Sequence, residues 1–310
     1  MIQDYQSEIR QIANDKLSGA VELANQAANL IMQFADFWEG DETTFTCELV
    51  ELCRQLMAAQ PAMASIVNLC NDVMYATEGE GIIYLHGKPQ RATLPQAVSN
   101  AALKFSAFLA HHNRRIANEM LPFIHSGALL LTHSSSSTVL AALLRAKDAG
   151  KRFGVVCTES RPQCEGVTMA RQLAEAGIEV EVIADATAAV FIHGFYTLLI
   201  GADAITSEGV VNKVGTLGMA LAAKQLGLPV YCLAGTEKFL PQGATFEIEE
   251  KDPTEIALTE PLMRGFNVYF DQTPLELITR FFTEDGTLTA EDVRGRLGER
   301  VLHGELKREM

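Results

Sequence analysis

Four short polar clusters carry the chemically useful side chains of this 310-residue chain. In the first, "THSSSST", the hydroxyls of Ser134, Ser135, Ser136, Ser137 and Thr138 stand between the apolar runs "ALLL" and "VLAALL". Hydroxyls at a helix start, beside backbone N–H groups without intrahelical partners, suit an anion such as phosphate. The plainer alternative is one capping serine with the others merely packed. The second cluster, Thr158, Glu159, Ser160 and Arg161, sets an arginine before a proline in a short turn. That suits a forked contact to phosphate or carboxylate, or simply a surface position. The third, "GADAITSEGVVNKVGT", ends a buried run at Asp203 and offers Asn212, Lys213, Gly215 and Thr216 at the start of the next helix. Desolvation and neighbouring charge can move an aspartate's pKa toward what acid/base catalysis needs, while Lys213 holds phosphate and Gly215 admits close backbone. Alternatively Asp203 is a helix cap and Lys213 its solvated partner. "AGTEKFLP" adds Glu237 and Lys238 at a fourth strand end.

The elements that must position these groups follow from periodicity. Residues 1–122 repeat apolar side chains every three or four positions, as in "VELANQAANLIMQFADFW", which predicts a helical N-terminal domain. The glycine- and proline-bearing stretch "TEGEGIIYLHGKPQRATLPQ" reads as a loop within it. Over 123–310 short apolar runs alternate with helical segments, from "GALLLT" and "STVLAALLRAKDAG" to "PVYCLA". Such alternation predicts an α/β domain with a parallel sheet covered by helices on both faces, where ligands gather at the strands' carboxyl ends. "AAVFIHGFYTLLIGADAI" reads as a buried helix followed by a strand rather than a membrane span, and a last helix is expected within "TAEDVRGRLGERVLHGELKREM".

Composition narrows the partners. Forty-eight per cent hydrophobic and 21% charged residues describe a globular chain, and the net charge of −14 repels nucleic acid and anionic membranes at long range. The N-terminus, polar and acidic, does not read as an export signal, so a cytoplasmic location is expected. Six cysteines at irregular spacing, with no C-x-x-C pair, read as reduced thiols rather than a metal site.

Taken together, "SGA", "RATLP", "THSSSSTVL", "TESRP", "GADAI…GVVNKVGT", "EKF", "FNVYFDQTPLELIT" and "FFTEDGTLT" resemble one family across nearly the whole chain. It comprises the alpha, beta and delta subunits of translation initiation factor 2B with ribose-1,5-bisphosphate isomerase and methylthioribose-1-phosphate isomerase. The resemblance implies a helical domain followed by a doubly wound, Rossmann-like domain for ligand binding and oligomerisation, a homodimer or higher homo-oligomer, and no cofactor or metal. In the isomerase branch a cysteine and an aspartate move protons on a phosphorylated sugar. The aspartate falls on Asp203; Asn212, Lys213, Lys238 and Arg91 fall on substrate contacts, and Gly19 and Ala20 on backbone contacts. Ser136, Ser137, Thr138 and Arg161 are the further phosphate candidates.

Three departures stand out. Ser134 occupies the cysteine's place, Ser18 replaces a phosphate-binding arginine, and Glu165 stands where the methylthioribose enzyme has glutamine. A hydroxyl is far less acidic than a thiol. Three readings therefore remain open: a sugar-phosphate aldose–ketose isomerase, a non-catalytic sensor of a phosphorylated metabolite like the alpha-subunit branch, and a purely structural assembly subunit, which would make the polar clusters incidental.

Overall fold

The computed structural model describes residues 5–16, 18–79, 82–85, 88–191, 194–256, 260 and 262–307, with backbone alone at 82–85, 88–91 and 191. The chain forms two compact units, one of residues 1–111, 240–245 and 298–310, the other of 112–239 and 246–297. The first is therefore discontinuous in sequence.

In the first unit, helices α1 (Tyr5–Asn14), α2 (Ala20–Asp36), α3 (Glu42–Ala59) and α4 (Ala64–Glu78) precede the hairpin β1 (Ile82–Leu85) and β2 (Lys88–Arg91). Helix α2 buries Leu23, Ala27, Leu30, Ile31 and Phe34, the spacing of one helical face. Asp41 starts α3 by accepting the Thr44 N–H at 2.9 Å. The stretch expected as a loop thus holds two antiparallel strands with Ile82 opposite Arg91, four residues each and too short for a periodic signal. Beyond it Thr93 and Gln96 bond reciprocally, side chain to backbone, at 3.1 and 3.4 Å. That capping box opens α5 (Leu94–Met120), whose residues from His112 onward belong to the second unit. Segment 298–307 is irregular but held: Asn71 accepts the His303 N–H at 2.7 Å and donates to the Val301 carbonyl, while Arg54 grips the Glu305 carbonyl.

The second unit has strands β3 (Leu129–Thr132), β4 (Gly154–Thr158), β5 (Glu179–Ile183), β6 (Thr197–Ile200), β7 (Ala204–Ile205), β8 (Val210–Lys213), β9 (Val230–Leu233), β10 (Phe270–Thr273), β11 (Arg280–Thr283) and β12 (Gly286–Leu288). Its remaining helices are α6 (Ser137–Asp148), α7 (Glu165–Glu175), α8 (Ala188–Phe191), α9 (Thr216–Gln225) and α10 (Ala290–Leu297). The main sheet runs β12-β11-β9-β6-β3-β4-β5, parallel throughout except where β12 turns back on β11. Its six parallel strands follow the 3-2-1-4-5-6 order of a doubly wound sheet. From β3 the chain first builds one side through β4 and β5, then the other through β6, β9 and β11. The order reverses between β3 and β6, and a crevice opens there at the carboxyl ends. A second sheet, β10-β8-β7, is antiparallel.

Two hydrophobic cores lie in this unit, one around Leu131, Leu198, Ile200, Cys232 and Phe281, the other around Leu130, Val155, Leu199, Leu233 and Phe282. Adjacent residues of one strand serve different cores because strand side chains alternate in direction. The doubly wound α/β class expected from the alternation is what forms, with three corrections. Asn212 and Lys213 end strand β8, and the helix starts only at Thr216. The "AAVF" helix is one turn long and only partly buried, Ala188 packing into the core while Val190 is 70% exposed, because four residues cannot build a full apolar face. Strands β10 to β12 ("FDQT", "RFFT" and "GTL") follow "PVYCLA" and went unread because, unlike the equally short "LLLT", "TLLI" and "VYCL", they are not near-continuous apolar runs.

Phe282 is fully buried and meets Phe123 and Tyr231 at centroid distances of 4.9 and 5.4 Å. Phe282→Ala should cost about 3–5 kcal/mol, read as a lower urea midpoint with an unchanged m-value.

Candidate functional site

The crevice between β3 and β6 collects the sequence's polar clusters. Past Thr132 the chain turns through His133 and Ser134, the latter at φ 69°. A non-glycine residue in the left-handed region costs about 1–2 kcal/mol, so neighbours must hold it. They form a directed hydrogen-bond chain. His133 Nε2 lies 2.9 Å from the Val214 carbonyl, which only accepts, so Nε2 carries the proton and Nδ1 must accept. Thr158 Oγ1, 2.5 Å away, donates to Nδ1, and Ser160 Oγ lies 3.1 Å from Thr158 Oγ1. Ser160 Oγ in turn accepts the Ser134 N–H at 2.8 Å. Burial lowers the pKa of His133, consistent with a neutral ring. Ser160 itself has φ 65°, and Asp185 fixes it by accepting the N–H groups of Ser160 and Arg161, each at 2.7 Å.

Helix α6 begins with Ser136 as N-cap, its hydroxyl accepting the Val139 N–H at 3.3 Å. A Cβ at Gly201 would sit 2.6 Å from Ser136 Oγ, so only glycine lets the end of β6 approach this cap. Thr138 is buried and its hydroxyl donates to Asn113 at 2.7 Å. Of the three hydroxyls expected to face phosphate, two are thus engaged within the protein, while that of Ser137 stays exposed.

Asp203 follows β6, its N–H donating to the Val211 carbonyl at 2.9 Å. Burial pushes its carboxyl up to about 6; Lys238 and Lys213 pull it down and Glu165 pushes it up. Lys238 and Glu237 are buried on the turn after β9. Burial lowers the Lys238 ammonium's pKa against the pull of Glu237 and Asp203. Behind them His112 Nδ1 stands 3.3 Å from Glu237 Oε2, and burial drives this imidazole down to about 4.

Lys213, 3% exposed, points its ammonium at Glu165 Oε1, 2.8 Å away, and over the Tyr269 ring, 5.1 Å from its centroid. The same Glu165 oxygen accepts the Ser134 hydroxyl at 3.1 Å. Glu165 opens α7, and Gly166 makes that placement possible, since a Cβ there would lie 1.8 Å from the Thr158 carbonyl oxygen. Asn212 donates to Thr216 Oγ1 at 3.0 Å, which donates to the Lys213 carbonyl at 2.6 Å. The N-terminus of α9 is already filled by Asp271, whose carboxylate accepts from Gly215 at 2.7 Å and from Leu217.

Ser134, Asp203, Asn212, Lys213 and Lys238 all stand on strand ends of the second unit. Arg161 is exposed, reaches Cys164 Sγ at 3.9 Å, and is not among the charges acting on Asp203. Gly19, the N-cap of α2, its neighbour Ala20 and Arg91 belong to the first unit. The Arg91 side chain lies outside the described residues. Ser160 belongs to the second cluster read from the sequence, whereas His133, Asp185, Tyr269 and Asp271 were not singled out as parts of the site; their nearness to strand ends was the available signal. Among the described residues no cluster of His, Cys, Asp and Glu is arranged for a metal ion, all six cysteines are free, and no helix is long and apolar enough to cross a membrane.

A 3-2-1-4-5-6 sheet with a charged cluster at its switch point defines a doubly wound, Rossmann-like α/β protein. Within that class the chain belongs to the Initiation factor 2 subunit family, whose model matches residues 16–290. It is 33% identical to the ribose 1,5-bisphosphate isomerase of Archaeoglobus fulgidus, covering 96% of this chain and 94% of that protein. Among solved structures it resembles the Pyrococcus horikoshii translation initiation factor eIF-2B, with a TM-score of 0.80 and 32% identity over 94% of this chain and all of that one. The 5-methylthioribose 1-phosphate isomerase of Pyrococcus horikoshii, at TM-score 0.72 and 21% identity over 94% and 86% of the two chains, shares the fold.

The raised Asp203 pKa has a measurable consequence. Between its ordinary 3.8 and about 6 the folded protein retains a proton that the unfolded chain has released, so stability falls as pH rises through that window. The loss amounts to at most about 3 kcal/mol. Asp203→Asn should therefore gain stability relative to the parent between pH 4 and pH 8 in urea titrations. Equal slopes for the two proteins would contradict the burial argument.

Proposed function

We propose that this protein binds a phosphorylated sugar at the carboxyl edge of the β3/β6 crevice and isomerises it from aldose 1-phosphate to ketose. The observation that carries this reading is Asp203: a carboxyl titrating near pH 6 beside two buried lysines. Protonated, it can give its proton to the ring oxygen as the C1–O bond opens. Ionised, it can take one back from the C2 hydroxyl as the carbonyl forms. Lys213, Lys238 and Asn212, with the Ser137 hydroxyl and free backbone N–H groups at the start of α6, would hold the phosphate, Thr138 acting through its backbone. The exposed Arg161 guanidinium is a further candidate contact for the phosphate. The kinship with ribose 1,5-bisphosphate isomerase supports a sugar-phosphate substrate. The protein works as a homodimer or larger homo-oligomer, which sedimentation at micromolar concentration checks.

Ser134 favours a second reading, a regulatory protein that binds such a ligand without turning it over, because the hydroxyl is a poor proton carrier. A panel of ribose 1-phosphate, ribose 1,5-bisphosphate and 5-methylthioribose 1-phosphate separates the two. Ligand at a hundred times its Kd stabilises the fold by about 2.7 kcal/mol, seen as a rise in Tm. Stabilisation with Asp203-dependent ketose formation supports the isomerase; stabilisation alone supports the sensor; neither removes both.

Lys213→Ala should abolish ligand stabilisation. Stripping one partner from a buried ion pair costs about 3–5 kcal/mol, and somewhat less here because the Glu165 side chain keeps 15% of its surface accessible. The variant should therefore melt earlier yet still cooperatively, and an undiminished ligand shift would refute the role given to Lys213.

A further inference from the structure

Aldose-to-ketose conversion requires a second group besides Asp203, one that moves a proton from C2 to C1. A serine hydroxyl cannot be that base at neutral pH, since its own proton is held too tightly. The structure supplies a carboxylate beside it. Resting on the isomerase reading above, we propose that Glu165 is the base that carries this proton, with Ser134 as the hydroxyl that positions it.

Four observations converge. Glu165 Oε1 is fully engaged, accepting the Ser134 hydroxyl at 3.1 Å and facing the Lys213 ammonium at 2.8 Å. Oε2 is buried and has no hydrogen-bond partner among the described residues, so its lone pairs are unspent. The carboxylate is held rigidly: Gly166 seats the start of α7 on the Thr158 carbonyl, and the chain from Ser134 through Ser160 and Thr158 to His133 fixes the other side. Finally, Glu165 is close enough to act on the charge of Asp203, so both carboxyls serve one crevice. Burial favours the protonated form of Asp203, whereas Glu165 has an ammonium against it. Asp203 is thus placed to act as the acid, and the unpartnered Oε2 of Glu165 is left to act as the base.

Asp203 gives its proton to the ring oxygen as the C1–O bond breaks, and Glu165 Oε2 takes the proton from C2, whose electron pair becomes the C1–C2 double bond. Glu165 then returns that proton to C1. Asp203 recovers its own from the C2 hydroxyl, whose O–H pair becomes the carbonyl π bond. Nothing is oxidised or reduced overall except the two sugar carbons against each other.

The test uses the full chain with ribose 1-phosphate, ribose 1,5-bisphosphate and 5-methylthioribose 1-phosphate. Glu165→Gln keeps the side chain's shape and should lower kcat by about 10²–10⁴-fold while retaining the thermal shift given by the sugar phosphate. Ser134→Ala should lose less than about tenfold, because positioning contributes less than the base itself. Adding Ser134→Cys to Glu165→Gln should restore at least part of the loss, since a thiolate can take over the transfer. Glu165→Asp keeps the charge facing Lys213 and guards against misfolding; it should fall less far than Glu165→Gln. Turnover in heavy water should place deuterium on C1 of the ketose. A parent protein that turns over substrate while Glu165→Gln keeps its kcat overturns the role of Glu165 and leaves the isomerase standing. A parent that turns over none of ribose 1-phosphate, ribose 1,5-bisphosphate and 5-methylthioribose 1-phosphate, while the same coupled assay detects added ketose, overturns the isomerase reading and this inference with it.

Discussion

The ion pair between Lys213 and Glu165 is the contact on which the crevice depends. Lys213 ends β8 of the small antiparallel sheet, and Glu165 opens α7, which follows β4 of the main sheet. Their 2.8 Å contact therefore ties two sheets together at the edge where the polar groups collect. A pair this shielded gains more from mutual attraction than a surface pair would, but each charge has surrendered much of its hydration. Part of that cost is offset locally: Lys213 also faces the Tyr269 ring, and Glu165 accepts the Ser134 hydroxyl. The arrangement is consequently sensitive to any change that removes one member.

Strain accumulates around the same point. Ser134, Ser160 and Cys164 are the non-glycine residues with positive φ among the described residues, and all three lie within the turns that bring β3 and β4 to the crevice. Such conformations persist only where surrounding bonds over-determine them. Here they do: Asp185 pins the backbone of Ser160, Ser160 pins that of Ser134, and the neutral His133 closes the chain against Val214. Tyr269 adds a further brace, donating to Glu255 at 2.6 Å and accepting from Gln163 at 2.8 Å. Burial and the Glu255 carboxylate raise its phenol's pKa, so it keeps the proton this bond requires.

Much of this was legible in the sequence, for identifiable reasons. The parallel strands are near-continuous apolar runs because both their faces are covered, and such runs separate cleanly from the amphipathic helices between them. Asp203, Lys213 and Lys238 could be named because each directly follows or ends such a run. Short strands without such a run carry no usable signal, which is why β2 ("KPQR") and strands β10 to β12 ("FDQT", "RFFT" and "GTL") went unread; "EDG" between "RFFT" and "TL" was the available hairpin signal. Asn212 and Lys213 were assigned to a helix start because "NKVGT" precedes an apolar helix, whereas Gly215 alone makes that transition, at φ 108°. Glu165 was visible as a departure but not as a neighbour of Ser134, since the two are 31 residues apart and meet only through the packing of Gly166.

The charge balance of the crevice shapes how the proposed ligand would enter. Two basic side chains, Lys238 and Lys213, act on Asp203 against the one carboxyl of Glu165, so basic groups are concentrated at this point although the chain carries −14 overall. An arriving phosphate meets that local field rather than the distant net charge, because exposed charges beyond about 10 Å are largely screened. Once seated, its own negative charge disfavours ionisation of Asp203 and raises the carboxyl's pKa further. Linkage then requires the reverse: protonating Asp203 strengthens phosphate binding by the same factor. Affinity should accordingly rise as pH falls from 8 toward 6, and Asp203→Asn should remove most of that dependence. Calorimetric titration with ribose 1-phosphate, read in buffers of different ionisation enthalpy, measures the proton taken up. An uptake that persists unchanged in the variant would show that some group other than Asp203 couples charge to binding.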